Sequence, residues 1–138
     1  MGEQTGQSHT DTIMVVGDDP SFCYLMRRYV SKSAYNTVFA YLGEEALATA
    51  QQEKPVAIVL EVGRPGTLGW QVLRALRENP ATRDIPVVLC SWLDEEERGL
   101  EEGAGVYLRK PILYEDFVAA LASLDIYPEN PGPDNSGV

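Results

Sequence analysis

Short polar clusters in this sequence each follow an apolar segment, and their side chains are of types that can hold a metal ion and a phosphoryl group. They are Asp18 and Asp19, Glu61, Ser91 and Lys110. Carboxylates that lie close together repel one another unless a cation sits among them. Mg²⁺ prefers oxygen ligands in octahedral geometry, and a hydroxyl and an ammonium facing it would complete a cradle for a phosphoryl group. Together these residue types indicate phosphoryl chemistry at a magnesium site.

Each of these features also has an ordinary structural explanation when it is taken alone. An Asp-Asp pair after a strand is commonly a helix cap with a solvated neighbour. A Glu or a Ser in that position commonly just ends the strand or caps the next helix, and a Lys before Pro is commonly exposed. The functional indication comes from all four clusters falling at one edge of a sheet in the right order.

Residues 56–62, with the sequence VAIVLEV, predict the strand around which the chain is organised. Five apolar residues in a row are too few for a typical helix, and Pro55 and the Gly/Pro cluster from Gly63 bound them. This pattern is typical of a strand buried on both faces of a parallel sheet. Glu61 stands at its carboxyl end, where open α/β sheets bind their ligands.

The rest of the chain alternates between strands and helices, which predicts an α/β fold. The start of the first helix is marked by Asp19 as N-cap and by Pro20 in the first turn. Strands joined by helices are parallel, with right-handed crossovers, so their carboxyl ends share one edge. We predict strands over 12–17, 36–41, 56–62, 85–91 and 106–108, and helices from 20, over 43–53, 70–78, 94–102 and 114–124.

Length and charge limit the classes of function. The 138 residues suit one domain, and the formal charge of -10 repels nucleic-acid backbones and anionic lipids. Cys23 and Cys90 lie in apolar patterns and are interpreted as buried reduced thiols, which favours the cytoplasm; a disulfide is the less favoured alternative. No apolar run is long enough to cross a membrane. We expect a disordered lead-in over 1–10, the domain over 11–125 and a disordered tail over 126–138.

On these residues the chain resembles the receiver domain of two-component response regulators. The resemblance covers residues 11–125 and rests on Asp18-Asp19 and on the segments LEVGRPGTLGWQVLRALR, IPVVLCSW and GAGVYLRKPI. It implies the flavodoxin-like sheet order 2-1-3-4-5, with helices on both faces.

The resemblance also implies roles for single residues. Residue 61 stands at the phosphoacceptor position, and Ser91 and Lys110 are the partners of the phosphoryl group, with a cis bond before Pro111. Mg²⁺ would be held by Asp19 directly, by Asp18 largely through water, by residue 61 and by the Gly63 carbonyl. Tyr107 falls where the family has a switch aromatic.

Glu61 departs from the family, which has Asp at the phosphoacceptor position. The extra methylene carries the carboxylate roughly 1.5 Å further, and a misplacement of about 1 Å can cost about a hundredfold in rate. Glu61 should therefore be a poor acceptor whose carboxylate instead lies near the place of a phosphoryl group. There it would meet Lys110 and Ser91 as a partial mimic of the phosphorylated state.

Trp92 is the second departure, because the residue after the Ser/Thr is typically small in the family. It could cover the site against phosphodonor and water, or it could point away and pack on the fourth helix or on a partner. Both departures argue against ordinary phosphotransfer. Neither removes Asp18 and Asp19, so weakened binding of Mg²⁺ remains an expectation.

The favoured function is a stand-alone receiver-like signalling module that is not an enzyme and acts through protein–protein contacts, independently of phosphorylation. Its partners would be a histidine kinase or a downstream effector, and receivers also form homodimers. The alternative is a conventional receiver that takes phosphate on Glu61, Asp18 or Asp19. A small Mg²⁺-dependent phosphatase lacks its Asp nucleophile here, and an FMN protein lacks a phosphate loop after the first strand.

A structural criterion separates two versions of this module. If Glu61 contacts Lys110, Ser91 turns toward it and Tyr107 points inward, the domain is held in an active-like state. If Glu61 folds back and Tyr107 points outward, it is a scaffold with a disabled switch.

Overall fold

The computed structural model describes residues 11–127. The predicted lead-in over 1–10 and nearly all of the predicted tail lie outside the described residues. The structured chain continues past the predicted boundary at residue 125, because Ile126 is only 7% exposed. Its amide donates a hydrogen bond to the Leu121 carbonyl at 2.9 Å, which returns the chain onto the last helix.

Five parallel strands form one sheet in the order β2-β1-β3-β4-β5, as the resemblance implies. The strands are β1 (Thr12–Val16), β2 (Asn36–Ala40), β3 (Ala57–Glu61), β4 (Val87–Ser91) and β5 (Val106–Arg109). The helices between and after them are α1 (Pro20–Ser31), α2 (Glu44–Glu53), α3 (Leu68–Glu78), α4 (Glu96–Glu101) and α5 (Tyr114–Ala122).

Every predicted element is present, and the differences lie at the ends. The fourth strand begins at Val87 instead of residue 85, because the Ile85 amide donates to the Thr82 carbonyl in a turn. The third helix begins two residues early, with Thr67 as its N-cap. The fourth helix is shorter than predicted and has only 6 residues.

Two apolar layers cover the two faces of the sheet. Alternate residues of β1, β3 and β4 point to opposite faces, as the period of a strand requires. One face packs against α1 and α5, through Phe22, Met26, Phe117 and Leu121 among others. The other packs against α2, α3 and α4. Residues 57–60 of β3 are fully buried, which confirms the prediction of a central strand covered on both sides.

The local start of α1 is as predicted from its sequence. Asp19 has an extended backbone, and its Oδ1 accepts a hydrogen bond from the Ser21 amide at 3.0 Å, while Pro20 opens the helix.

Within residues 11–127, no helix is long and apolar enough to span a membrane.

Candidate functional site

The carboxyl ends of three neighbouring strands place Glu61, Ser91 and Lys110 together. In the parallel register Glu61 of β3 lies opposite Cys90 of β4, and Ser91 lies opposite Arg109 of β5. The Lys110 amide continues the ladder by donating to the Ser91 carbonyl at 2.8 Å. The Lys110-Pro111 peptide bond is cis, as the resemblance implies.

An ion pair between Glu61 and Lys110 is at the centre of this edge. Lys110 Nζ lies 2.6 Å from Glu61 Oε2, and the two side chains are only 9% and 15% exposed, respectively. The other carboxylate oxygen, Oε1, accepts from the Asp19 amide at 3.4 Å. A charge-assisted bond this short, in a place with little water, is among the stronger polar contacts in a protein.

Aromatic rings surround the Lys110 ammonium. Its Nζ lies 4.8 Å from the ring centroid of Phe22 and 5.8 Å from that of Trp92. The faces of aromatic rings attract cations at such distances. The Lys110 ammonium is therefore held by the Glu61 carboxylate and by the rings of Phe22 and Trp92.

The acidic residues of the predicted metal site do not converge. Asp18 Oδ1 accepts from the Leu42 amide at 3.3 Å, on the β2 side of the edge. Asp19 Oδ1 caps α1, and Glu61 is paired with Lys110. Within residues 11–127, no three His, Cys, Asp or Glu side chains lie together in a way that could hold a metal ion.

The fourth ligand that the resemblance implies is also engaged. The Gly63 carbonyl accepts a hydrogen bond from the Trp70 indole, with Nε1 at 3.0 Å. The groups expected to ligate Mg²⁺ thus make contacts within the protein, and in this arrangement they do not fit a magnesium site. The positive charge among them is the Lys110 ammonium.

Ser91 and Tyr107 meet the structural criterion only in part. Ser91 is buried, but its Oγ accepts from the Leu93 amide at 3.0 Å and makes no hydrogen bond with the Glu61 carboxylate. Tyr107 points inward and is 8% exposed. Its hydroxyl donates to the Leu93 carbonyl at 2.6 Å and accepts from the Glu95 amide at 3.2 Å. Both side chains therefore stabilise the loop between β4 and α4.

Trp92 lies beside the ion pair, although it is 63% exposed. It lines a pocket of about 330 Å³ that Glu61 and Lys110 also line. On its other side it lines a notch of about 150 Å³ together with Phe22 and Pro111. Of the two positions considered for Trp92, the structure thus has the ring next to the site, where it shields Lys110 and leaves the pocket open.

Negative charge prevails around the neighbouring thiol of Cys23. Burial raises the pKa of Cys23, and the carboxylates of Glu61, Asp19 and Asp18 raise this pKa further, while Lys110 lowers it. Both cysteines are free, and Cys90 is buried in the strand next to Glu61. Burial also raises the pKa of Cys90 far above its usual range.

Two residues that shape this site, Gly17 and Phe22, were not predicted from the sequence. A Cβ built on Gly17 would lie 2.7 Å from Glu61 Oε1, so Gly17 and Glu61 are in direct contact. Phe22 lies in the predicted first helix, and its ring faces Lys110. A glycine between an apolar strand and an acidic pair was the available signal for Gly17, while nothing in the helical spacing separates Phe22 from a core residue.

Comparisons with known proteins agree with this fold. The chain is 40% identical over 103 residues to the response regulator PleD of Caulobacter vibrioides, of which it spans 23%. It is 32% identical over 103 residues, 72% of this chain, to the protein PilH of Pseudomonas aeruginosa, of which it spans 85%.

Solved structures show the same architecture. The bacteriophytochrome response regulator RtBRR superposes with a TM-score of 0.72 and 27% sequence identity, over 90% of this chain and 85% of that one. The sequence model of the response regulator receiver domain family matches residues 13–122. This chain therefore belongs to the response regulator receiver domain family, a family of two-component signalling modules.

Proposed function

We propose that this receiver domain signals by binding other proteins and without taking up a phosphoryl group. The observation that carries this proposal is the 2.6 Å contact between Lys110 Nζ and Glu61 Oε2. Receiver domains interact with histidine kinases and effectors, and Mg²⁺ typically binds at their phosphorylation site. Here the residue at the acceptor position already uses its charge inside the protein.

A carboxylate paired in this way is a poor nucleophile. To attack a phosphodonor, Glu61 would have to leave Lys110 and expose an unpaired charge in a place with little water. Its second oxygen is engaged with the Asp19 amide. The Trp92 ring lies beside the ammonium and helps to keep Lys110 next to Glu61, while the pocket that all three residues line stays open.

The same contact supports an active-like conformation of the domain. Glu61 occupies space at the strand end where an acyl phosphate on a shorter Asp would lie, and it draws Lys110 as a phosphoryl group would. Inward Tyr107 agrees with this state, while Ser91, bonded to Leu93, does not contribute to it. We place the module in the cytoplasm, with a histidine kinase or a downstream effector as its partner.

Exposure to acetyl phosphate with Mg²⁺ tests the proposal by intact-mass spectrometry. The unmodified chain should gain no phosphoryl group, because Glu61 is engaged and the acidic residues do not gather a metal. A phosphoryl group on Glu61, Asp18 or Asp19 would overturn the proposal in favour of a conventional receiver. Glu61→Gln serves as the control that cannot form an acyl phosphate at this position.

The active-like conformation has its own test. In Glu61→Asp the shorter side chain should loosen the contact with Lys110, and the amide signals of Leu93 and Tyr107 should shift in NMR spectra. If the spectra of the Asp variant match those of the original chain, with and without acetyl phosphate, Glu61 does not set the conformation.

A further inference from the structure

Gly17 lies at the carboxyl end of β1, directly against the side chain of Glu61. A Cβ on Gly17 would approach Glu61 Oε1 to 2.7 Å, Glu61 Cβ to 3.1 Å and Phe22 Cδ2 to 3.2 Å. Real Cβ atoms essentially never make contacts below 3.0 Å, so a side chain at residue 17 would displace the Glu61 carboxylate from its place beside Lys110. The closest of these three atoms, Oε1, is at the far end of the Glu61 side chain, so the extra length of Glu61 takes part of the space that a side chain at residue 17 would need.

We propose that Gly17 is a positioning residue that admits Glu61 and brings its carboxylate onto Lys110, so that the Lys110 ammonium replaces a divalent metal ion as the cation of this site. The inference rests on the proposed function, in which Glu61 is not a phosphoacceptor. It adds a structural reason why the carboxylate at residue 61 is neutralised by Lys110 and not by a metal ion.

Charge balance favours this assignment. Asp18 and Asp19 follow the end of β1, and Glu61 ends the neighbouring strand β3; carboxylates that converged there would require a cation. Lys110 supplies one at 2.6 Å, and Asp18 and Asp19 turn instead to backbone amides. An acidic residue at 17 would point a further carboxylate at Glu61, whereas glycine adds neither charge nor volume.

The neighbours of Lys110 explain why a side chain at residue 17 would disturb the ion pair. Phe22, the third contact of a Cβ on Gly17, is also the ring that lies 4.8 Å from Lys110 Nζ. A side chain at 17 would therefore press on the carboxylate and on one of the two rings that hold the ammonium. Shortening residue 61 by one methylene would relieve the pressure on the carboxylate, since its oxygens retreat by roughly 1.5 Å.

A double-mutant cycle between Gly17→Ala and Glu61→Asp tests this relation. Gly17→Ala should lower the ratio of folded to unfolded protein in both backgrounds. The decrease should be about tenfold larger when residue 61 is Glu than when it is Asp, because the effects of mutations at contacting residues are not additive. The matched control is Gly69→Ala, whose Cβ would meet the Glu61 backbone carbonyl at 2.6 Å. Shortening the side chain cannot relieve that contact, so the control cycle should show no coupling.

If Gly69→Ala does not fold, Gly105→Ala takes its place, because its Cβ would press on Leu124 and not on Glu61. If Gly17→Ala lowers the stability of the domain equally with Glu and with Asp at residue 61, the positioning role is overturned.

The ammonium signal of Lys110 in NMR spectra gives a readout that a change in packing alone would not alter. It should be sharp in the original chain and broadened by exchange in Gly17→Ala.

The metal is tested directly with Mn²⁺ as a paramagnetic probe. In the original chain the signals of Glu61 and Lys110 should broaden no more than those of Glu96 and Glu97 on α4. Selective broadening at Glu61 would show that a metal, and not Lys110, is the cation, and would overturn the inference. Failure of the proposed function gives a different result, a phosphoryl group found by mass after acetyl phosphate treatment.

Discussion

At the scale of single residues, the side chain at the carboxyl end of β3 is one methylene longer than the Asp that the resemblance predicts there. Glu61 stands at the carboxyl end of β3, where the resemblance predicts the phosphoacceptor, and it reaches Lys110 from there. Glu61 and Lys110 bond to each other and to other groups of the same domain, so these contacts contribute to the stability and conformation of the domain. Mutations of the pair should therefore be visible in unfolding experiments without any partner.

Replacing Lys110 by Met should destabilise the domain by about 1–3 kcal/mol, because it leaves the Glu61 carboxylate buried without its charged partner. Urea unfolding followed by circular dichroism measures this loss. Glu61→Gln in the Lys110→Met background should restore part of it, since the neutral amide costs less to bury.

Arg27→Met is the matched control, because Arg27 is an exposed cation on α1. Its loss should change the unfolding free energy by no more than about 0.5 kcal/mol. An equal effect of Lys110→Met and Arg27→Met would mean that the ion pair adds nothing to stability.

At the scale of elements, α4 is the shortest of the described helices, and it packs directly on Tyr107. It has 6 residues, and its N-cap residue Glu95 makes no side-chain capping bond. Gly99 lets the helix lie directly on Tyr107 and Leu89. Since the Tyr107 hydroxyl bonds the backbone of Leu93 and Glu95, the position of α4 and the inward state of Tyr107 depend on each other.

Gly99→Ala should push α4 away from the sheet. Its Cβ would lie 2.9 Å from Tyr107 Cδ2 and 3.0 Å from Leu89 Cδ1, and overpacking of this kind costs about 1–3 kcal/mol. The gain in helix propensity, about 1 kcal/mol, only partly offsets that cost. Hydrogen exchange at residues 93–101 should accelerate, as the loop loses its contacts with Tyr107.

Glu97→Ala provides the comparison, because Glu97 is an exposed residue of the same helix. It raises helix propensity without adding a buried atom, so exchange in this segment should stay the same or slow. If Gly99→Ala behaves like Glu97→Ala, the contact between α4 and Tyr107 does not control the loop.

At the scale of the whole molecule, burial of neutral acids makes the fold sensitive to alkali. Burial is the main cause that raises the pKa values of Tyr29 and Tyr35, and it raises the pKa of Cys90 as well. The folded protein therefore holds these groups neutral at a pH where the unfolded chain would ionise them. Their contribution to stability is complete below the unfolded pKa values and is lost as the pH rises.

We expect the unfolding free energy to fall steadily above a pH of about 8.5, where free Cys and then Tyr ionise in the unfolded chain. Urea midpoints between neutral pH and pH 10 or so measure the slope. Cys90→Ala should make the decline shallower. A decline that high salt abolishes would instead come from repulsion among the charges of this acidic chain, which salt screens.

How much could be predicted depends on the range over which the relevant forces act. The elements, their order along the chain and the capping of α1 by Asp19 follow from local patterns of apolar and polar residues, and they were predicted with errors only at the ends. The strand order and the cis bond before Pro111 came from the resemblance to a family. The gathering of Asp18, Asp19 and Glu61 around a metal was expected as well, and the structure does not have it.

The sequence by itself determined the α/β fold and the set of side chains at the carboxyl edge, because strand period and parallel connections bring those residues to one edge. Only the tertiary structure decided how they pair. Glu61 and Lys110 are 49 residues apart, and Gly17 and Phe22 approach them from β1 and α1. Whether a longer carboxylate meets a metal or an ammonium depends on atomic distances across three strands, which no local pattern encodes.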